Sequence, residues 1–196
     1  MAVKEISRNR YRILCCTITV NITQECPFSV IFVVRNRILS RSNNLTISYH
    51  HTGVVVPDLD AAVQFYCSLF GFEIFSQGSW DADNAGFNQV VGLESSSARL
   101  CMLRGDNAFL ELFEYAPVLE PRERQRNANE TGIRHLCFAV RDVQSMLDRC
   151  VELGGSKINE PYSVPGGATA AYCRDPFGNL IELVTPGGRF PEPFTA

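Results

Sequence analysis

The sequence predicts an α+β domain made of two tandem copies of one unit, a strand and a helix followed by three strands, and three alignments within the chain predict it. His51-Thr-Gly-Val-Val-Val-Pro-Asp58 lies over His135-Leu-Cys-Phe-Ala-Val-Arg-Asp142, with an Asp seven residues after the His in both. Continued without a gap, Gly71 meets Gly155 and Ile74 meets Ile158. Further on, Phe109-Leu110-Glu111-Leu112 matches Leu180-Ile181-Glu182-Leu183. Such self-similarity marks a duplicated structural unit. The histidines are 84 residues apart and the glutamates 71, so the first copy has the longer middle, assigned to an extra loop over 81–98.

Each element follows from local pattern. Residues 49–56 alternate as a strand, and Pro57-Asp58-Leu59-Asp60 supplies a turn and a helix N-cap. Val63, Phe65, Tyr66, Leu69 and Phe70 recur near the helical period, and Gly71 ends the helix. A strand over Phe72–Ser76 follows, then a hairpin of Ala98–Leu103 and Ala108–Tyr115 across Gly105-Asp106-Asn107. The second copy repeats the order: a strand from Ile133 to Val140, then a helix capped by Asp142 and ended by Gly154-Gly155. Strands over Ser156–Asn159, Thr169–Cys173 and Leu180–Val184 complete it, the last two joined by the turn Asp175-Pro-Phe-Gly178-Asn179. Module one is thus expected over 47–116, a polar linker over 117–131, module two over 132–185 and a tail over 186–196.

Residues 1–46 have no counterpart in the repeat and read as a basic, poorly ordered extension. Up to residue 49 the chain carries seven Lys or Arg against Glu5 and Glu25, although the whole chain has a net charge of −3. That overall balance gives no footprint for nucleic acid. The extension's apolar runs are broken by Asn21, Gln24, Glu25 and Pro27, well short of the roughly 20 apolar residues of a membrane span. The eight cysteines form no C-x-x-C pair and mostly lie in apolar runs, which implies a reducing, cytoplasmic setting, with organelle targeting by the basic start as the alternative.

Of three histidines, His51 and His135 hold equivalent places in the two copies. Glu111 and Glu182 each put a lone carboxylate inside an apolar strand, where an unpaired charge is costly to bury. Two imidazoles and two carboxylates suit a divalent first-row cation with positions left for water or substrate. Strand alternation sends His50 to the opposite face from His51. Glu114, three residues beyond Glu111, is read as solvated and as the substitute ligand. Gln77–Asn88 with Trp80, the Pro165-Gly166-Gly167 loop and Tyr115 are expected to line a pocket for a small-molecule substrate, and Arg122, Arg124 and Arg126 in the linker are read as mainly solvent-facing, with contact to an anionic substrate as the alternative.

These motifs, His51-Thr-Gly-Val-Val-Val-Pro-Asp-Leu-Asp with Phe65-Tyr66 and Leu69-Phe-Gly-Phe, Gly132-Ile-Arg-His135, and Asp175-Pro-Phe-Gly-Asn-Leu-Ile-Glu182, resemble those of the vicinal oxygen chelate superfamily over residues 48–185. That family spans glyoxalase I, methylmalonyl-CoA epimerase, extradiol dioxygenases, fosfomycin-inactivating transferases and bleomycin-resistance proteins. The resemblance implies a half-open barrel of paired βαβββ modules around a metal site, formed within one chain or across a swapped homodimer. It carries over His51, Glu111, His135 and Glu182 as ligands of a divalent cation (nickel, cobalt, zinc, manganese or ferrous iron). A carboxylate at Glu111 tilts the reading to the four-ligand, glyoxalase I-like branch, a lyase or isomerase that works through a metal-stabilised enediolate, with Glu182 as the base. The alternatives are a ferrous extradiol-type dioxygenase, for which two histidines and one carboxylate suffice, and a ligand-binding protein without chemistry. Two departures stand out. Where bacterial glyoxalase I usually has an Asn-Trp-Gly segment that helps hold glutathione, this chain has Glu114-Tyr115-Ala116-Pro117. No acid occupies Ala98–Met102, the strand aligned with the epimerase's second catalytic carboxylate.

Overall fold

The computed structural model describes residues 48–119, 127–188 and 190–193. The chain divides into Met1–Thr46 and Ile47–Ala196. The N-terminal extension and the linker arginines Arg122, Arg124 and Arg126 lie outside the described residues. Within the second unit the elements run β1 (His51–Val55), α1 (Leu59–Phe70), β2 (Glu73–Trp80), α2 (Ala85–Val91), β3 (Ser97–Arg104) and β4 (Phe109–Ala116). They continue with β5 (His135–Ala139), α3 (Val143–Glu152), β6 (Ser156–Lys157), β7 (Tyr162–Ser163), β8 (Thr169–Arg174) and β9 (Leu180–Val184).

The duplication is visible in the topology. One open sheet has the order β1-β4-β3-β2 and the other β5-β9-β8-β6, with β7 added beside β8. In each, the first strand runs parallel to the last and the remaining pairs are antiparallel. The fold is therefore a mixed α+β arrangement of two open sheets, as the repeat predicts.

Both long helices start in the same way. Asp58 accepts from the Ala61 N–H at 2.9 Å and Asp142 from the Ser145 N–H at 3.0 Å, each satisfying a donor of the first turn. Helix α1 ends at Gly71, whose φ of 73° is a left-handed conformation that glycine adopts without steric cost. Gly155 is needed for a different reason: a Cβ there would stand 2.5 Å from the Arg174 carbonyl oxygen and 2.6 Å from Cys150 Sγ. The absent side chain lets the end of α3 close against β8.

The two modules share one core. Leu59, Phe65, Tyr66 and Leu69 of α1 and Val143, Leu147 and Cys150 of α3 join the inner faces of both sheets in a single buried cluster. Phe70 stacks on Phe138 of β5 with ring centroids 3.9 Å apart. The buried Tyr66 hydroxyl donates to Asp175 Oδ2 at 3.0 Å, and Asp175 also accepts from the Phe177 and Asn179 backbone N–H groups and from Asn179 Nδ2. The Asp175-Pro-Phe-Gly-Asn segment is thus a structural clasp, with a buried carboxylate fully hydrogen-bonded, as burial of such a group requires.

Two elements differ from expectation. Strand β2 continues through Gln77–Trp80 because its pairing with β3 extends to Trp80 opposite Ala98, overriding the weak strand propensity of Ser-Gln-Gly-Ser. The inserted segment contains helix α2, capped by Asn84 through the Phe87 N–H and ended by Gly92 at φ 69°. Seven residues with none buried gave no amphipathic signal to read.

Candidate metal centre

Strand register puts each histidine beside its glutamate. His51 pairs with Phe109 and Gly53 with Glu111, so His51 and Glu111 are diagonal neighbours on one face of the β1-β4 pair. The β5-β9 pair repeats this, with His135 opposite Leu180 and Cys137 opposite Glu182. The outcome is two matching pairs, His51 Nε2 to Glu111 Oε2 at 3.1 Å and His135 Nε2 to Glu182 Oε2 at 3.1 Å. The four residues do not meet within one chain. Among the described residues, no three His, Cys, Asp or Glu side chains are placed to hold a metal ion. Each sheet instead carries one imidazole nitrogen and one carboxylate oxygen in contact, half of a four-donor set.

The two halves have different surroundings. Cys137, two residues beyond His135 and therefore on the same face, stands opposite Glu182, and its thiol is pushed up to about 12 by burial and then by the Glu182 charge. Tyr172 stands directly across from Glu182 on β8, and burial followed by that charge raises its phenol. At the corresponding places around Glu111 stand Gly53 and Met102, which offer no side-chain donor. Tyr115, four residues beyond Glu111 on the same strand face, has its phenol raised by burial and then by the Glu111 charge.

Glu114 has a structural role. It faces α1, accepts from the Leu59 N–H at 2.7 Å, and lies 3.4 Å from Arg99, which also binds Asp60. A carboxylate at the positive end of α1 and beside a guanidinium is not a substitute for Glu111. His50 departs from its expected direction: β1 begins only at His51, so alternation does not apply to His50. Its Nδ1 lies 2.7 Å from His51 Nδ1, and its ring stacks on Phe109. A partner on the second ring nitrogen fixes the orientation of a ligating imidazole.

Of the expected pocket residues, Trp80 is 4% exposed, donates its indole N–H to Ser96 at 3.2 Å and stacks on Phe87 of α2. Trp80 also meets Phe113 and Tyr115 edge to face. The Pro165-Gly166-Gly167 loop joins β7 to β8. Cys137 and Tyr172 escaped the sequence reading, although Cys137 had a signal in its two-residue spacing from His135. The Tyr172 contact depends on cross-strand register, which a short segment rich in Ala does not specify.

Comparison with known proteins supplies the context for this geometry. The model of the Glyoxalase/Bleomycin resistance protein/Dioxygenase superfamily matches residues 48–183. A 2-epi-5-epi-valiolone epimerase from Actinomyces is 31% identical over 72% of this chain and 81% of its own length. A probable lactoylglutathione lyase from Synechocystis is 28% identical over 68% of this chain and 92% of its own. Among solved structures, a glyoxalase family protein from Bacillus cereus superposes with a TM-score of 0.67 at 22% identity, covering 75% of this chain and 99% of that one.

Proposed function

The chain belongs to the Glyoxalase/Bleomycin resistance protein/Dioxygenase superfamily, and from that premise we propose that it is a metal-dependent lyase or isomerase of the glyoxalase I kind whose site is completed by a second copy. The observation that carries the reading is the presence of a carboxylate in both halves, each 3.1 Å from its histidine. A two-histidine, one-carboxylate site would leave Glu111 without a task, yet Glu111 is held against His51 just as Glu182 is against His135. Relatives named as lactoylglutathione lyases and as an epimerase fit proton transfer at a carbon flanked by oxygen.

The donor set suits a divalent cation. His51 and Glu111 of one copy with His135 and Glu182 of the other would hold it. Two such sets arise from one two-fold dimer, because each chain contributes one half to each site. When bound, the cation supplies Lewis acidity to two adjacent oxygens of the substrate. Glu182 would accept the proton from the carbon that bears one of these oxygens and return it to the neighbouring carbon that bears the other. Tyr172 and Cys137 flank Glu182 as the polar neighbours of its carboxylate.

Elemental analysis of the purified chain, followed by an assay of hemithioacetal isomerisation with several thiols, tests the reading. Activity with nickel, cobalt or manganese and no oxygen uptake is expected. Oxygen consumption dependent on ferrous iron would replace this function with a dioxygenase, and tight ligand binding without turnover would replace it with a binding protein.

A further inference from the structure

The two halves of the site have diverged in chemistry, and the divergence indicates what the substrate carries. On the open face of the first sheet, register sets side chains in rows across the strands. The row of Glu111 contains Gly53, Met102 and Ser76; the next contains Val55, Phe113, Leu100 and Gly78; the next contains Tyr115, Ala98 and Trp80. Beyond Glu111, therefore, the face is apolar and aromatic for two rows, with the Tyr115 hydroxyl as its polar group and Trp80 buried, its indole N–H given to Ser96. Phe113, Tyr115 and Trp80 brace one another at 5.6–6.2 Å between ring centroids, so the wall is rigid.

Positive charge is nearly absent from this half, which is acidic overall. Between residues 48 and 119 the sequence holds two basic side chains, Arg99 and Arg104. Arg99 is committed to Asp60 on the helix side, and Arg104 to Glu73 at 2.8 Å. Neither is available to meet a carboxylate or phosphate of a ligand. Two glycines also leave the floor low. A Cβ at Gly53 would lie 3.6 Å from the Phe113 ring and one at Gly78 would lie 3.8 Å from Leu100, with no positive φ at either. Strands are about 4.8 Å apart, so the step left by Gly78 beside Leu100 and Phe113 is about one ring wide.

We propose that the first sheet receives an uncharged apolar substituent of the substrate, about the size of a phenyl ring, laid against Phe113 and Tyr115 beside Glu111. This rests on the metal-dependent reading above and deepens it: the cation would hold the vicinal oxygens, while module one selects the group attached to them. A substrate whose nearby portion is anionic, such as a peptidic thiol adduct, finds no counter-charge there and loses its hydration without compensation.

The test uses chelators that share one head group. Benzohydroxamic acid and acetohydroxamic acid both present vicinal oxygens and differ as phenyl against methyl. Binding to the full, metal-loaded chain is read from the fluorescence of Trp80, the only tryptophan of the sequence. Benzohydroxamate is expected to bind at least about tenfold more tightly than acetohydroxamate, from the burial of the ring. Phe113→Ala removes the wall and Gly78→Leu fills the step; each should bring the two chelators within about twofold of each other. Equal affinities in the unaltered chain, or equally tight binding of 4-carboxybenzohydroxamate, would overturn the proposal. Benzohydroxamate binding that survives removal of metal by a chelator would instead sustain the wall and discard the metal reading. Loss of response to both compounds would discard both.

Discussion

Glu111 and Glu182 occupy equivalent places in the repeat, yet a carboxylate with two polar neighbours and one without are different reagents. Cys137 and Tyr172 flank Glu182, whereas Glu111 contacts His51 and an apolar face. The expected result for Glu182→Gln is a fall in kcat of at least about a thousandfold, the scale for loss of a catalytic base, with metal content largely retained because the amide oxygen can still ligate. Glu111→Ala should act mainly on metal content, since a ligand is deleted and no proton carrier is lost. Steady-state kinetics with elemental analysis of both variants separates the roles, and unchanged turnover in Glu182→Gln would remove the mechanism. A conformational constraint lies at Gly155. With backbone oxygen and a buried sulfur inside 3 Å of any added Cβ, Gly155→Ala should cost about 1–3 kcal/mol, the range for overpacking a closed site, seen as a lower urea midpoint.

At the scale of elements, the clasp between α1 and the β8–β9 turn makes a pH-dependent prediction. Tyr66 is buried beside Asp175, and burial first, then the Asp175 charge, raises its phenol well above its ordinary 10.0. A raised folded-state value means that the unfolded chain loses this proton first. The contribution is therefore intact below about pH 10 and lost as pH climbs from there toward the folded value, with a slope of about 1.4 kcal/mol per pH unit. Tyr66→Phe should lose about 1 kcal/mol at neutral pH with the hydrogen bond, and above pH 10 its stability should fall less steeply than that of the parent by about one proton. Parallel alkaline slopes in urea titrations would rule this out. The clasp also shows what the sequence could and could not disclose. Asp58, Asp142, Gly71 and the two Glu strands announced themselves because caps and alternation are local. Strand β2 beyond Ser76, helix α2 and the contact of Tyr172 with Glu182 are set by partners remote in sequence. Local propensity argued against the first, and seven residues with none buried concealed the second. The repeat revealed which four residues belong to the candidate site, whereas their division into two pairs is a property of how the modules pack.

For the whole molecule, the shared core decides where a complete site can form. Helices α1 and α3 lie within one buried cluster with the inner sheet faces, and the two His–Glu pairs stay apart as a result. If a second copy brings module one of one chain against module two of the other, inactive variants should rescue each other. In a heterodimer of His51→Ala and Glu182→Gln, one site collects both lesions and the other collects neither. Random mixing of subunits makes half of the dimers heterodimeric, each with one intact site, so activity should return to about a quarter of the parent's from two inactive preparations. Co-expression with two tags, or refolding of an equimolar mixture, provides the sample, and titration of metal per subunit gives an independent count of intact sites. A mixture of His51→Ala with Glu111→Ala, whose lesions lie in the same module, should stay inactive, since every site in every dimer then contains a defective half. Rescue by the first pair and not by the second locates the site between copies. Failure of both, with the dimer intact by mass, would return the site to a single chain and demand a rearrangement of the modules.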